Sequence, residues 1–180
     1  MFSPSQISFR KLDFVDLPLL HKWLNEPHVH EWYDRDKQNS LKEVTDEYTK
    51  YITGEEKVYG FLVCYENKPF AYIQWYPVND WEEFAKTVGY DESAAGVDLF
   101  IGEIGFVGKG MGTLMLKKFL TEIVFAQKGI TRCIIDPEPD NKRAIRAYEK
   151  VGFKYIRTLQ VPEEQNLTYL MEIKKEDFIL

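Results

Sequence analysis

Glycine recurs at every second position in Val107-Gly108-Lys109-Gly110-Met111-Gly112-Thr113. Before it lies a strand-like run, Ala95–Ile101, and after it an amphipathic pattern that extends from about Met111 to Gln127. Three glycines therefore occupy the passage from a strand into a helix. Glycine admits backbone conformations closed to other residues and permits close approach to a ligand. At a helix N-terminus the first N–H groups have no intrahelical partner. Together with the helix dipole they make a site for phosphate oxygens. Two familiar phosphate loops do not fit. A Walker loop requires Gly-x-x-x-x-Gly-Lys-Ser/Thr, and Lys109 is misplaced for it. A dinucleotide fingerprint requires Gly-x-Gly-x-x-Gly in a first βαβ unit. Here the spacing is Gly-x-Gly-x-Gly, past the middle of the chain.

Downstream, Gly129 stops the helix, Thr131–Asp136 reads as a strand and Pro137–Asp140 as a turn. Asn141–Val151 is then a helix closed by Gly152, and Phe153–Gln160 and Leu167–Lys174 are two final strands. Upstream, Gln6–Leu12 alternates as a half-buried strand. Asp13 or Asp16 can cap a helix bearing Phe14, Leu17, Leu20, Trp23 and Leu24 at three- and four-residue spacing. Pro27 ends that helix. Ser40 and Glu43 form a capping box for a second helix, which runs to Gly54. Val58–Tyr65 and Phe70–Tyr76 predict a hairpin. Pro77–Ser93 reads as a long acidic loop with Asp80, Glu82, Glu83, Asp91 and Glu92, suited to a cationic ligand or simply to solvent. The order β-α-α-β-β-β-α-β-α-β-β predicts a mixed central sheet flanked by helices, an α/β (α+β) domain over residues 1–180.

Composition narrows the partners. With 180 residues and 44% hydrophobic content, one sizeable core is expected. The net charge of −6 argues against nucleic acid and anionic membrane and mildly favours a small cationic ligand. No apolar leader and no membrane-spanning stretch stands out, so a cytoplasmic protein is expected. Cys64 and Cys133 sit in apolar runs as reduced core residues. His21, His28 and His30 lack zinc spacing, and no metal is expected.

The run Asn141-x-x-Ala144-x-x-x-Tyr148-Glu149-Lys150-x-Gly152-Phe153, about thirty residues beyond the glycine loop, resembles the second signature of the GNAT superfamily. A narrower resemblance covers roughly residues 6–173. Leu20–Asn25, His30–Tyr33, Tyr72–Tyr76, Gly96–Glu103, Ile135–Pro137, Arg143–Tyr148 and Tyr169–Glu172 are similar to segments of aminoglycoside 6'-N-acetyltransferases. Leu99 stands where members commonly carry glutamine, and Val107 where the wider superfamily often has Arg or Gln.

The resemblance implies a GNAT fold and acetyl-coenzyme A as cofactor. Gly108, Lys109, Gly110, Met111, Gly112 and Thr113 would cradle its diphosphate, and Asn141, Ala144 and Tyr148 would line its thiol arm. A backbone N–H near Leu99, Phe100 or Ile101 would meet the acetyl oxygen. Tyr148 would serve the departing sulfur, and Asp98 would take the amine's proton, directly or through a water, or else chiefly hold the ammonium. An alkylamine with a pKa near 10 is neutral in only about one molecule in a thousand at pH 7, a deficit of roughly 4 kcal/mol that a carboxylate can offset. Trp32, Tyr33, Gln74 and Tyr76 would contact sugar rings and hydroxyls, and Asp98, Asp136 and Glu163 would hold ammonium groups. The expected reaction is direct acetylation of a primary amine, an aminoglycoside 6'-amine first of all, by a monomer or homodimer. A protein N-terminus, a siderophore precursor or a polyamine are alternative acceptors. A non-catalytic coenzyme A or aminoglycoside binder is the reading outside enzymes.

Overall fold

Alternating apolar residues and turn chemistry produce the strands. The computed structural model describes residues 2–33, 39–90, 93–161 and 166–178. Strand β1 (Ile7–Lys11) runs antiparallel to β2 (Tyr59–Tyr65), with Ile7 opposite Tyr65 and Lys11 opposite Phe61. β2 turns into β3 (Lys68–Pro77) through Glu66 and Asn67, at φ 49° and 64°. Two left-handed residues in a two-residue loop match the twist of the strands they join. With β4 (Ala94–Ile101), β5 (Arg132–Ile135), β6 (Lys154–Gln160) and β7 (Leu167–Lys174), the sheet order is β1-β2-β3-β4-β5-β7-β6. β4 and β5 pair in parallel, whereas β5–β7 and β6–β7 are antiparallel. The predicted mixed sheet is the one observed.

The chain divides into two compact units, Met1–Gln74 with Asp98–Met115, and Trp75–Val97 with Leu116–Leu180. In the first, α1 (Leu17–Leu24) buries Leu17, Leu20, Trp23 and Leu24, the stripe predicted from their spacing. Asp16 anchors its entry, accepting two bonds from the Arg10 guanidinium at 2.7 and 2.8 Å and one from the Asp13 N–H at 3.0 Å. Pro27 ends this segment and also opens a one-turn helix, α2 (Pro27–His30), which the sequence reading missed. Proline suits a first helical position because its missing N–H would have no partner there. Helix α3 (Leu41–Thr53) has the Ser40–Glu43 capping box at one end and left-handed Gly54 at the other.

Trp23 has no exposed surface, and its indole N–H donates to Glu103 Oε1 at 2.8 Å. That bond, and then the Lys22 ammonium, hold the Glu103 carboxyl below the usual carboxylate range. A Cβ at Gly102 would stand 2.1 Å from the Trp23 ring. The absence of a side chain at Gly102 is therefore what admits the indole. Gly102→Ala is expected to cost about 1–3 kcal/mol through overpacking. The measurement is a lower urea midpoint at unchanged m-value; an unaltered midpoint would mean that the indole has room to shift.

In the second unit Pro77–Ser93 is not the loop that was expected. It contains a 3₁₀ turn at Val78–Asp80 and a helix, α4 (Glu82–Val88). Glu82 and Lys86 form an i,i+4 ion pair at 2.8 Å, and Gly89 at φ 74° closes the helix. Tyr90 beyond it donates to the largely buried Glu172 carboxylate. The acids of this stretch are thus partly spent on a helix surface, while Asp91 and Glu92 lie outside the described residues. The predicted Met111–Gln127 helix is α5 (Met111–Phe119), followed by a π-helical turn at Leu120–Val124. Helix α6 (Lys142–Val151) buries Ile145, Tyr148 and Val151 and ends at left-handed Gly152.

Candidate active site

The glycine loop and the strand that feeds it both belong to the first unit. Gly108 and Gly110 take φ of 74° and 82°, and a Cβ at either would meet nothing within 4 Å. These two glycines are required by backbone conformation, not by space. Gly112 differs: its φ is not left-handed, and a Cβ would rest 3.9 Å from Ile101 Cδ1 in ordinary contact. The α5 ladder begins with the Leu114 N–H bonding to Gly110 C=O at 3.1 Å. N–H groups ahead of that bond lie at the positive end of the helix. Gly108, Lys109 and Gly110 are exposed, Thr113 is half-buried and Met111 is fully buried. Met111 can therefore serve a ligand only through its backbone.

On β4, Asp98, Leu99 and Ile101 are half-buried, and Phe100 is buried. The Tyr33 ring packs edge-on against Phe100 at 4.8 Å, which ties Tyr33 into the core. Trp32 is half-buried in the turn after α2. Gln74, expected on the acceptor's hydroxyls, is only 7% exposed. Its Nε2 donates to Asp98 Oδ2 at 2.8 Å, and its Oε1 accepts from the Tyr72 hydroxyl at 2.7 Å. Both ends of the amide are engaged inside the protein. Two residues not singled out from the sequence also bear on this region. Tyr51 donates to Glu47 at 3.1 Å, and burial, then the charges of Glu47, Glu56 and Asp98, push its phenol well above the usual range. The i,i+4 spacing of Glu47 and Tyr51 was the only available signal, and it is shared by any ordinary helix pair.

The second unit carries the remaining candidates. Ala144 and Tyr148 lie one turn apart on the inward face of α6, and Tyr148 is 8% exposed with its ring 6.2 Å from that of Phe153. Asn141 is the N-cap of α6: its Oδ1 accepts the Ala144 N–H at 3.1 Å. The Tyr76 ring lies across Gly96, where a Cβ would be 2.3 Å away, and packs near Trp81 and Phe84 at 6.2 and 6.4 Å. Asp136 is half-buried immediately after β5. Glu163 lies outside the described residues. Cys64 and Cys133 are buried thiols outside any disulfide, and burial pushes the Cys64 thiol up, away from the thiolate a nucleophile needs.

No helix among the described residues is long and apolar enough to cross a membrane, and no described group of His, Cys, Asp and Glu could hold a metal ion. A model of the acetyltransferase (GNAT) domain matches residues 14–161. The aminoglycoside N(6')-acetyltransferase type 1 of Klebsiella pneumoniae is 30% identical over 167 residues, covering 89% of this chain and 80% of that protein. The solved structure of AAC(6')-Ib with paromomycin and acetyl-CoA superposes with a TM-score of 0.85 at 28% identity, over 96% of this chain and 95% of that one. Spermidine N-acetyltransferase from Vibrio cholerae, at 19% identity and a TM-score of 0.75 over 96% of this chain and 98% of that one, shares the fold. The left-handed glycines ahead of α5, the Asn141-capped helix bearing Ala144 and Tyr148, and this likeness along most of the chain lead to one assignment: the chain belongs to the GNAT acetyltransferase family, alongside the aminoglycoside 6'-N-acetyltransferases.

Proposed function

We propose that this enzyme acetylates a primary amine of an aminoglycoside, the 6'-amine first of all, by direct attack with amine and acetyl-CoA bound together. The cofactor supplies an acetyl thioester, and the chain supplies binding and proton handling. Backbone N–H groups of Gly108–Thr113 fit a diphosphate, since the left-handed glycines set the loop ahead of the positive end of α5. Lys109 adds an exposed positive charge there. Asn141 shapes the start of α6, Ala144 leaves space on its inward face, and Tyr148 gives a proton to the sulfur. Asp98 accepts the proton of the ammonium, while Leu99, Phe100 and Ile101 offer backbone N–H to the acetyl oxygen. Trp32, Tyr33, Tyr76, Asp136 and Glu163 are assigned to the acceptor, and Gln74 acts behind Asp98. The enzyme works in the cytoplasm as a single catalytic domain spanning 1–180, as a monomer or homodimer.

One observation carries the reading: half-buried Asp98 sits on β4, and one 3₁₀ turn, Ile104–Phe106, separates that strand from the left-handed glycine loop. Thiol release from acetyl-CoA, measured side by side with kanamycin, spermidine and a peptide amine, tests it. Kanamycin is expected to give the highest kcat/KM. Preference for either other amine would move the assignment to that acceptor class, and no turnover with any would leave a binding protein.

The loop makes its own prediction. Gly110→Ala places a Cβ on a backbone at φ 82°. The strain of about 1–2 kcal/mol turns the loop and weakens acetyl-CoA binding by roughly tenfold or more. Gly112→Ala meets only ordinary contact and improves helix propensity by about 0.5–1 kcal/mol, so affinity stays within a few-fold. Calorimetric titration of both variants distinguishes them; equal losses would show that space at the loop, not its conformation, matters.

A further inference from the structure

We infer that Gly60, Tyr72 and Gln74 form a positioning relay whose task is to hold the Asp98 carboxylate in one orientation. The inference rests on the reading of Asp98 as the base. Tyr72 and Gln74 are two residues apart on β3 and so share one face of the sheet. The Tyr72 hydroxyl donates to Gln74 Oε1 at 2.7 Å, and Gln74 Nε2 donates to Asp98 Oδ2 at 2.8 Å. Each bond fixes the sense of the next. A flipped amide would set its oxygen against a carboxylate oxygen, two acceptors face to face. With Tyr72 donating to the other end, the nitrogen is held towards Asp98.

The relay is rigid from its far end. Tyr72 is fully buried, with the rings of Tyr48 and Phe100 at 5.5 and 5.4 Å. Its hydroxyl lies over Gly60 of β2, where a Cβ would stand 2.5 Å from the oxygen. Gly60 is not left-handed. It is a strand glycine kept for close approach, and what approaches is the hydroxyl that starts the relay. Gln74 is itself 7% exposed, so water competes poorly for its amide.

Glu47 of α3 and Glu56 just beyond it act, with Asp98, on the buried Tyr51 phenol, which stays protonated and uncharged. The negative charges of Glu47 and Glu56 oppose ionisation of a further carboxyl, whereas an N–H donated to the carboxylate favours it. Loss of the Gln74 donor therefore moves the titration of Asp98 to higher pH. A group that only packed the core would leave that titration where it was.

The test uses Gln74→Leu, Tyr72→Phe, Gly60→Ala and the double variant Tyr72→Phe/Gln74→Leu in the full chain. Gln74→Leu is expected to raise the acid limb of the pH profile of kcat/KM for kanamycin by about one unit. It should lower kcat/KM at neutral pH by roughly tenfold with the Kd for acetyl-CoA unchanged. Tyr72→Phe keeps the ring packing and should shift the limb in the same direction by less. Gly60→Ala should reproduce Tyr72→Phe by displacing the hydroxyl. The double variant should match Gln74→Leu, because the hydroxyl acts only through the amide. A carbon-13 titration of the Asp98 carboxyl, assigned with Asp98→Asn, reads the same shift without any substrate. If the wild type acetylates no amine, the base assignment fails while this titration still judges the relay. If Gln74→Leu does not fold, Tyr72→Phe decides. An unmoved Asp98 titration in the variants, or additive losses in the double variant, overturns the inference.

Discussion

Asp98→Asn is expected to lower kcat/KM for the amine by about 10²–10⁴-fold at neutral pH, the range for a lost general base. The substitution keeps the side chain's shape, and the new amide oxygen can still accept from Gln74 Nε2, which stands 2.8 Å from Oδ2 in the native protein. Stability should therefore change little, and the loss reports chemistry. The sign of its pH dependence follows from the substrate. An alkylammonium with a pKa near 10 yields about tenfold more neutral amine for each unit of rising pH. The variant's rate should climb accordingly, and its deficit should narrow as pH approaches that value. Steady-state profiles of both proteins measure this. A deficit within threefold at pH 7 removes Asp98 from the role of base, and a pH-independent deficit assigns it to ammonium binding alone.

Tyr148→Phe carries the second large expectation, a fall in kcat of about 10²-fold. The sulfur gathers negative charge as its bond to the acetyl carbon breaks, and a phenol O–H is a donor that can meet that charge with a hydrogen bond or a proton. The ring is 8% exposed and packs near Phe153 at 6.2 Å, contacts that phenylalanine keeps. Folding and cofactor affinity should survive, since the diphosphate is assigned to the loop ahead of α5 and not to this hydroxyl. Single-turnover rates together with calorimetric Kd for acetyl-CoA separate the outcomes. Unchanged kcat would end the assignment to sulfur, and a matching loss of affinity would make the hydroxyl a binding group.

Much of the fold was legible because its signals are local. The Ser40–Glu43 capping box, the stripe of Leu17, Leu20, Trp23 and Leu24, and Gly152 after Val151 each specify a boundary or a face within a few residues. α2 and α4 escaped for the same reason in reverse. A one-turn helix has no period to detect, and the seven-residue α4 is too short for its apolar Phe84, Ala85 and Val88 to show one, so the acidic run read as a loop. Gly110 is legible as a loop glycine, but Gly102 is a glycine for the sake of Trp23, which is remote along the chain, and Gly60 for the sake of Tyr72, which only the register of the β2–β3 hairpin brings over it.

The mixed sheet and the glycine-bearing loop between β4 and α5 could be read from the order of residues, because both are encoded in short-range spacing. Asp98 and Tyr148 came forward as candidates through the family resemblance of the segments that carry them. The fold in space was needed to show that the Gln74 amide bonds to Tyr72 and Asp98, and that the Trp23 indole bonds to Glu103. Hydrogen-bond partners are chosen by distance in space, and no periodicity in a strand records which side chain the fold will bring within 3 Å of a given amide.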